Sequence, residues 1–173
     1  MSTEPWQGLT SRQPLEADHA RVIAAAKTWW GAVGGPTGAQ QRAALLPRLF
    51  LQHFADTSMV LEDADGGLAG FLVGFLSQSQ SKVAYIHFVG VAPALRRTGA
   101  ATALYQWFSD EARGRGAAEV RCITSPGNLA SIAFHTGIGF AVITGGGFAD
   151  GVSVHPDYDG PGRDRVVFAR PIV

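Results

Sequence analysis

The chain has 173 residues, with lysine plus arginine equal to aspartate plus glutamate at 14 each, so no net field draws it to nucleic acid or to an anionic membrane. That length suits one domain, 1–173, with a sizeable core, and the single cysteine, Cys122, excludes an intrachain disulfide and fits a reducing compartment such as the cytoplasm. Glycine fills 22 positions, well above the usual share of roughly 7%, which implies many tight turns.

The start, Met1-Ser2-Thr3-Glu4-Pro5-Trp6, lacks the basic-then-apolar order of a secretory leader, and apolar runs are broken well before the roughly 20 residues that a membrane span needs. A short first strand is expected within 8–13. From Leu15 to Trp30, Leu15, His19, Val22, Ile23, Ala26, Trp29 and Trp30 recur at helical spacing. Gly31, Gly34, Gly35, Pro36 and Gly38 read as a loop, and a second helix is expected from Ala39 to Phe54, kinked or divided at Pro47. Thr57–Glu62 and Leu68–Leu76 read as strands joined by a hairpin turn at Asp65-Gly66-Gly67. Gly70 and Gly74 mark bulges or close approaches in the second of them. A third strand ends at Val91, completing an antiparallel meander. Beyond it come a helix stopped by Gly114 and Gly116, a strand around Cys122, and a short helix from Leu129 to about Thr136. A strand starting at Phe140–Thr144, a glycine loop at 145–147, a turn-rich segment at 155–164 and a last strand at Val166–Arg170 follow.

Two stretches carry chemistry. In the first, the β-branched and aromatic run Val83–Val91 stops at Pro93 and leads through Arg96-Arg97-Thr98-Gly99-Ala100-Ala101 into the helix. Amides at a helix start lack intrahelical partners, and small residues let an anion approach them. No Gly-Lys-Ser/Thr follows, so this is not the mononucleotide phosphate loop, and the three-glycine dinucleotide pattern is missing. In the second, Ser125-Pro126-Gly127-Asn128 opens the short helix, with Asn128 able to cap it.

Arg96-x-x-Gly99-x-Ala101 resembles the Arg/Gln-x-x-Gly-x-Gly/Ala signature of the GNAT N-acetyltransferases, and Asn128-x-x-Ser131-x-x-Phe134-His135-x-x-x-Gly139-Phe140 resembles a later motif of that family, in the family's order. The resemblance implies an α+β fold: a central, mainly antiparallel sheet, splayed after the Val91 strand and flanked by helices. It also implies acetyl-CoA as acetyl donor. Backbone groups of Val89 and Val91 would pair with the pantetheine arm, and amides of Arg97, Thr98, Gly99, Ala100 and Ala101 would hold the pyrophosphate, with charge from Arg96 and Arg97. Asn128 would touch the arm from the other side, with Ser131 a weaker contact. A homodimer is compatible with the family, and nothing in the chain fixes an interface.

Attack on a thioester needs a route for the amine's proton, because an amine is mostly ammonium at neutral pH. Tyr85 and His87 point to one face of their strand. His87 is the candidate general base, an imidazole being neutral in part near pH 7, or else a packing histidine; Tyr85 lines the acceptor pocket. Where the family usually has a Tyr that helps the departing thiolate, this chain has His135, read either as that acid or as a structural residue. Trp29, Trp30, Phe50 and Phe54 are core or line the acceptor cleft. Asp157, Tyr158, Asp159 and Asp164 engage a cationic acceptor or are solvated. His19, His53 and His155 show no metal-ligand spacing, so no metal is expected. The reading is an N-acetyltransferase acting on a small-molecule amine. A protein or peptide acceptor, or an acyl-CoA-binding module without turnover, are the alternatives.

Overall fold

A computed structural model describes Trp6 and residues 8–172, so the segment read for a leader lies outside the described residues except for Trp6. The chain divides into two compact units, one made of residues up to Phe75 with Ile86–Glu111, the other of Leu76–Tyr85 with residues from Ala112 onward.

The first unit opens with β1 (Thr10–Arg12), which pairs antiparallel with β2 (Met59–Glu62). At the hairpin turn the Asp63 carboxylate accepts the N–H groups of Asp65 and Gly67 at 3.0 and 2.7 Å, and the chain returns antiparallel as β3 (Leu68–Leu76). Both glycines of β3 behave as expected. The register slips between Leu61 and Glu62, opposite Gly70 and Leu68, and a Cβ on Gly74 would lie 2.4 Å from the Phe108 ring. Next comes β4 (Val83–Val91), beside β3 in the strand order, with the Ala92 N–H on the Ala69 carbonyl at 2.9 Å.

The helical segment is cut differently from its prediction. Leu15–Trp30 yields a 3-10 turn at Glu16–Asp18 and then α1 (His19–Thr28). The glycine run is not all loop, because α2 (Gly35–Ala44) starts four residues early. Gly34, at φ 72°, turns the chain, and Pro36 sits in the first helical turn, where no N–H is needed. Pro47 divides the segment outright, since the residue before a proline is pushed out of the helical region, and α3 (Leu49–His53) is a separate short helix. α1 buries Val22, Ala25 and Ala26 against Leu46, Leu51, Val60, Phe71 and Val73, each large aliphatic side chain contributing about 1.5–3 kcal/mol. Charges at the rim form a network that the sequence reading did not foresee. The Asp18 carboxylate, 5% exposed, is gripped by Arg12 at 2.8 and 2.9 Å and ion-paired with Arg21 at 2.9 Å, and both arginines also reach Glu62.

In the second unit the strand order is β4, β5 (Glu119–Thr124), β9 (Val166–Pro171), β6 (Ala141–Val142). The β4–β5 ladder is parallel and covers only Val83 to Tyr85, three residues of a nine-residue strand; β5 and β9 pair antiparallel along their full length. Val120, Val154, Val166 and Phe168 are its most buried large side chains. α4 (Ala100–Gly114) and α5 (Leu129–Gly137) form where predicted. The glycine loop does not extend as far as expected, for Gly147 opens a hairpin of β7 (Gly147–Ala149) and β8 (Val152–Val154). Its turn residues Asp150 and Gly151 have φ of 49° and 80°, the left-handed pair that Asp-Gly favours. Helices with mainly antiparallel strands make the fold α+β.

Candidate active site

The first unit carries β4 from Ile86 onward, the turn after it and the start of α4. A 3-10 turn at Pro93–Leu95 ends the strand, and the Thr98 hydroxyl donates to the Leu95 carbonyl at 2.7 Å, closing the turn. Arg97 and Gly99 take left-handed backbone conformations, φ 63° and 92°. The first intrahelical bond of α4 runs from Ala103 N–H to the Gly99 carbonyl at 2.9 Å, so the amides of Ala100, Ala101 and Thr102 lie ahead of the helical ladder. A Cβ on Gly99 would meet nothing within 4 Å, and Arg96, Arg97 and Thr98 are exposed. Open space, amides at a helix start and alternating backbone hands are what an anion-binding nest requires. The Arg96 side chain, however, donates to the Trp29 carbonyl, so its guanidinium serves the end of α1.

Val89, Val91 and His87 come from the same strand and are half-buried. The His87 ring stacks on Phe50 with centroids 4.2 Å apart and planes 17° off parallel, and its Nε2 lies 2.5 Å from the Leu45 carbonyl. A carbonyl only accepts, so Nε2 carries a proton. In the same unit, Trp29 meets Phe71 at 5.8 Å and Trp30 meets Phe88 edge-on at 5.6 Å. Gly90 makes room for this cluster, as a Cβ there would lie 2.6 Å from Phe71 and 3.2 Å from Trp30. Trp29 and Phe50 pack on the unit's core, and Phe54 packs on Phe50 and Phe75 at 5.6 and 5.2 Å. Two of the four aromatic residues read as core or cleft therefore pack on the core itself, while Phe54 packs on Phe50 and Phe75 and Trp30 on Phe88.

Tyr85, Asn128, Ser131 and His135 belong to the second unit. Burial, with smaller contributions from Tyr158, Cys122 and Asp159, pushes the Tyr85 phenol well above its ordinary value. It stays protonated at any physiological pH. Asn128 caps α5, its Oδ1 accepting the Ser131 N–H at 3.2 Å. His135 is 6% exposed and stacks on Phe168 at 4.6 Å, with Phe134 and Phe140 edge-on. Its Nδ1 donates to the Ser131 carbonyl at 2.7 Å, and burial lowers its pKa. A neutral imidazole with its proton committed to a carbonyl is a poor acid. The carboxylates at 157–164 are engaged within their own loop. Asp164 accepts the Asp157 N–H at 3.0 Å, Asp157 accepts the Gly162 N–H at 2.6 Å, and Asp159 pairs with Arg165 at 2.7 Å. Among the described residues, no group of three or more His, Cys, Asp or Glu is placed to hold a metal ion, and no helix is long and apolar enough to cross a membrane.

The structure thus gathers His87, Val89, Val91 and residues 96–101 in one unit, and Tyr85, Asn128, Ser131 and His135 in the other. Sequence reading singled out Phe50 as core or cleft but missed its stack on His87, and it missed the Leu45 carbonyl altogether. Pro47 marked the helix break that frees the Leu45 carbonyl, and nothing local marked His87 as its partner.

A model of the acetyltransferase (GNAT) family matches residues 23–140. L-2,4-diaminobutyric acid acetyltransferase of Nocardia farcinica is 32% identical over 90 residues, 52% of this chain and 46% of that protein, so the match spans less than half of the curated relative. Among solved structures, diaminobutyrate acetyltransferase EctA from Paenibacillus lautus, in complex with L-2,4-diaminobutyric acid and coenzyme A, aligns with a TM-score of 0.64 at 23% identity, covering 95% of this chain and 96% of that one. The ribosomal-protein-S18-alanine N-acetyltransferase from Escherichia coli aligns with a TM-score of 0.65 at 21% identity, covering 95% and 94%. At such identities the two structures establish a shared fold.

Proposed function

The chain belongs to the acetyltransferase (GNAT) family, and from that premise we propose that it is an acetyl-CoA-dependent N-acetyltransferase acting on the primary amine of a small molecule, by direct attack in a ternary complex. The observation that carries the reading is the turn after β4. Its left-handed Arg97 and Gly99 open space at the start of α4, where a pyrophosphate can meet backbone amides. Residues 97–101 would hold the phosphates, Val89 and Val91 the pantetheine arm, and Asn128 and Ser131 the arm from their own unit. When bound, acetyl-CoA supplies the thioester that is cleaved. A small amine as acceptor is supported by the relative named for diaminobutyric acid. Cysteine usage supports the cytoplasm as the compartment.

His87 takes a proton from the bound ammonium, which frees the amine's lone pair for attack. A Val89 or Val91 amide steadies the charge that grows on the acetyl oxygen, a donor worth about 3 kcal/mol when well aimed. Tyr85, held protonated, lines the acceptor side as a hydrogen-bonding group. His135 holds α5 to its unit's core and takes no part in the chemistry.

The test is release of free CoA thiol from acetyl-CoA by the purified protein across amino acids, diamines, polyamines, aminoglycosides and short peptides. Acceptor-dependent release with small amines is the expected result. Release with peptides alone would replace the acceptor class, and tight acetyl-CoA binding without release on any acceptor would leave a binding module in place of an enzyme.

A further inference from the structure

The sequence gives the supports of His87 no role toward its ring, and they define the state of that ring. We infer that the Leu45 carbonyl and the Phe50 ring are positioning elements that hold His87 as the Nε2–H tautomer with its ring plane fixed, so that the chain break at Pro47 is part of the catalytic apparatus. The inference rests on His87 being the base.

Leu45 is the C-terminal cap residue of α2, its own N–H turned back to Arg42 and Ala43. In an uninterrupted helix its carbonyl would accept the N–H of Leu49. Pro47 prevents that continuation, and Phe50 instead bonds back to the Pro47 carbonyl at 3.1 Å and Leu51 to Arg48 at 2.9 Å. The carbonyl so released is the one that His87 Nε2 meets at 2.5 Å, while α3, restarted after the break, lays Phe50 flat on the ring at 4.2 Å. One contact fixes which nitrogen carries the proton, and the other fixes the ring plane. In the reaction the ammonium N–H bond breaks, its electron pair stays on the amine nitrogen, and the proton bonds to Nδ1. The resulting imidazolium keeps its Nε2–H on Leu45, where a charge-assisted bond is stronger than the neutral one, at the negative end of α2.

Nitrogen-15 NMR of histidine-labelled protein, with His87→Gln to identify the signals, reads the tautomer without any reaction. The wild type is expected to carry its proton on Nε2 when the ring is neutral. Phe50→Leu is expected to mix the tautomers and to lower kcat about tenfold, less than the roughly hundredfold that a 1 Å misplacement can cost, with acetyl-CoA affinity unchanged; Phe50→Tyr, which keeps the plate, should restore both. Pro47→Ala, which lets Leu49 claim the carbonyl, is expected to move the proton toward Nδ1. Should Pro47→Ala not fold, the Phe50 pair decides. A wild-type proton on Nδ1, or Phe50→Leu with an unchanged tautomer or unchanged kcat, overturns the inference. Undiminished kcat in His87→Gln defeats the base reading instead.

Discussion

His87 and His135 are held by the same two devices, one in each unit. His87 stacks on Phe50 at 4.2 Å with Nε2 on the Leu45 carbonyl, and His135 stacks on Phe168 at 4.6 Å with Nδ1 on the Ser131 carbonyl. The difference lies in what surrounds the pair. His135 is 6% exposed, closed in by Phe134 and Phe140, and burial lowers its pKa. His87 is half-buried on a strand that runs on to an exposed turn. A stacked, carbonyl-anchored imidazole is therefore a neutral part of a core in one setting and a candidate proton acceptor in the other. Solvent access, rather than the local contact, separates the two.

The comparison can be broken at the turn proposed to hold the cofactor. Gly99→Glu puts a carboxylate into the turn at φ 92°, where no neighbour lies within 4 Å of a Cβ. Repulsion of a few kcal/mol from a bound pyrophosphate should raise the acetyl-CoA Kd roughly a hundredfold or more, read by calorimetry. Gly99→Ala carries the backbone strain without the charge and should shift Kd far less. Equal affinity in Gly99→Glu and the wild type would remove the turn at 96–101 from cofactor binding.

His87→Gln is expected to lower kcat/KM about a hundredfold, the lower range for loss of a general base. It should also abolish the fall in activity on the acid side, where a protonated imidazole no longer accepts. A pH profile of the variant matching the wild type would return His87 to a packing role and make the two histidines alike. His135→Ala should leave kcat per folded molecule unchanged while removing a buried ring, at about 3 kcal/mol or roughly 10 °C in Tm. A slower chemical step in well-folded His135→Ala would restore the acid reading and erase the contrast.

What the chain disclosed in advance follows from how local each signal is. β4, the turn at 96–101, α4 and the capped α5 were legible because strand alternation, a glycine at the turn and Asn128 at a helix start act over a few residues. The early start of α2 was misread because Gly and Pro serve a loop and a first helical turn alike, and which one wins depends on Gly34 adopting φ 72°. The β7–β8 hairpin was missed although Asp150-Gly151 announces its turn, since its strands are three residues each. Contacts that join distant positions had no such sign. Leu45 and Phe50 meet His87 from about forty residues away, and Arg12, Asp18, Arg21 and Glu62 converge from two helical turns and two strands. For His135 the sequence left acid and structural roles open, because depth of burial has no local sign.

The smallest effect separates the units by acid response. His135 has its pKa lowered in the fold, so the unfolded chain binds its proton more readily. Its contribution to stability is then present above the ordinary imidazole value of 6.5 and is lost as pH falls below it. Glu62 is held by hydrogen bonds from Arg12 and Arg21 at about 2 against an ordinary 4.5, so its contribution is present above 4.5 and is lost as pH falls toward 2. In urea midpoints measured from pH 8 to 2.5, His135→Phe, which keeps the ring stack on Phe168, should flatten the loss that begins below 6.5 and leave the steeper acid limb. Glu62→Gln should do the reverse, lowering the midpoint modestly at neutral pH and flattening the limb below 4.5, while Asp18 keeps its own grip on Arg12. If Glu62→Gln altered the limb near pH 6 instead, the carboxylate network would not be the acid-sensitive element of the first unit, and the two regions would not differ in the way their surroundings require.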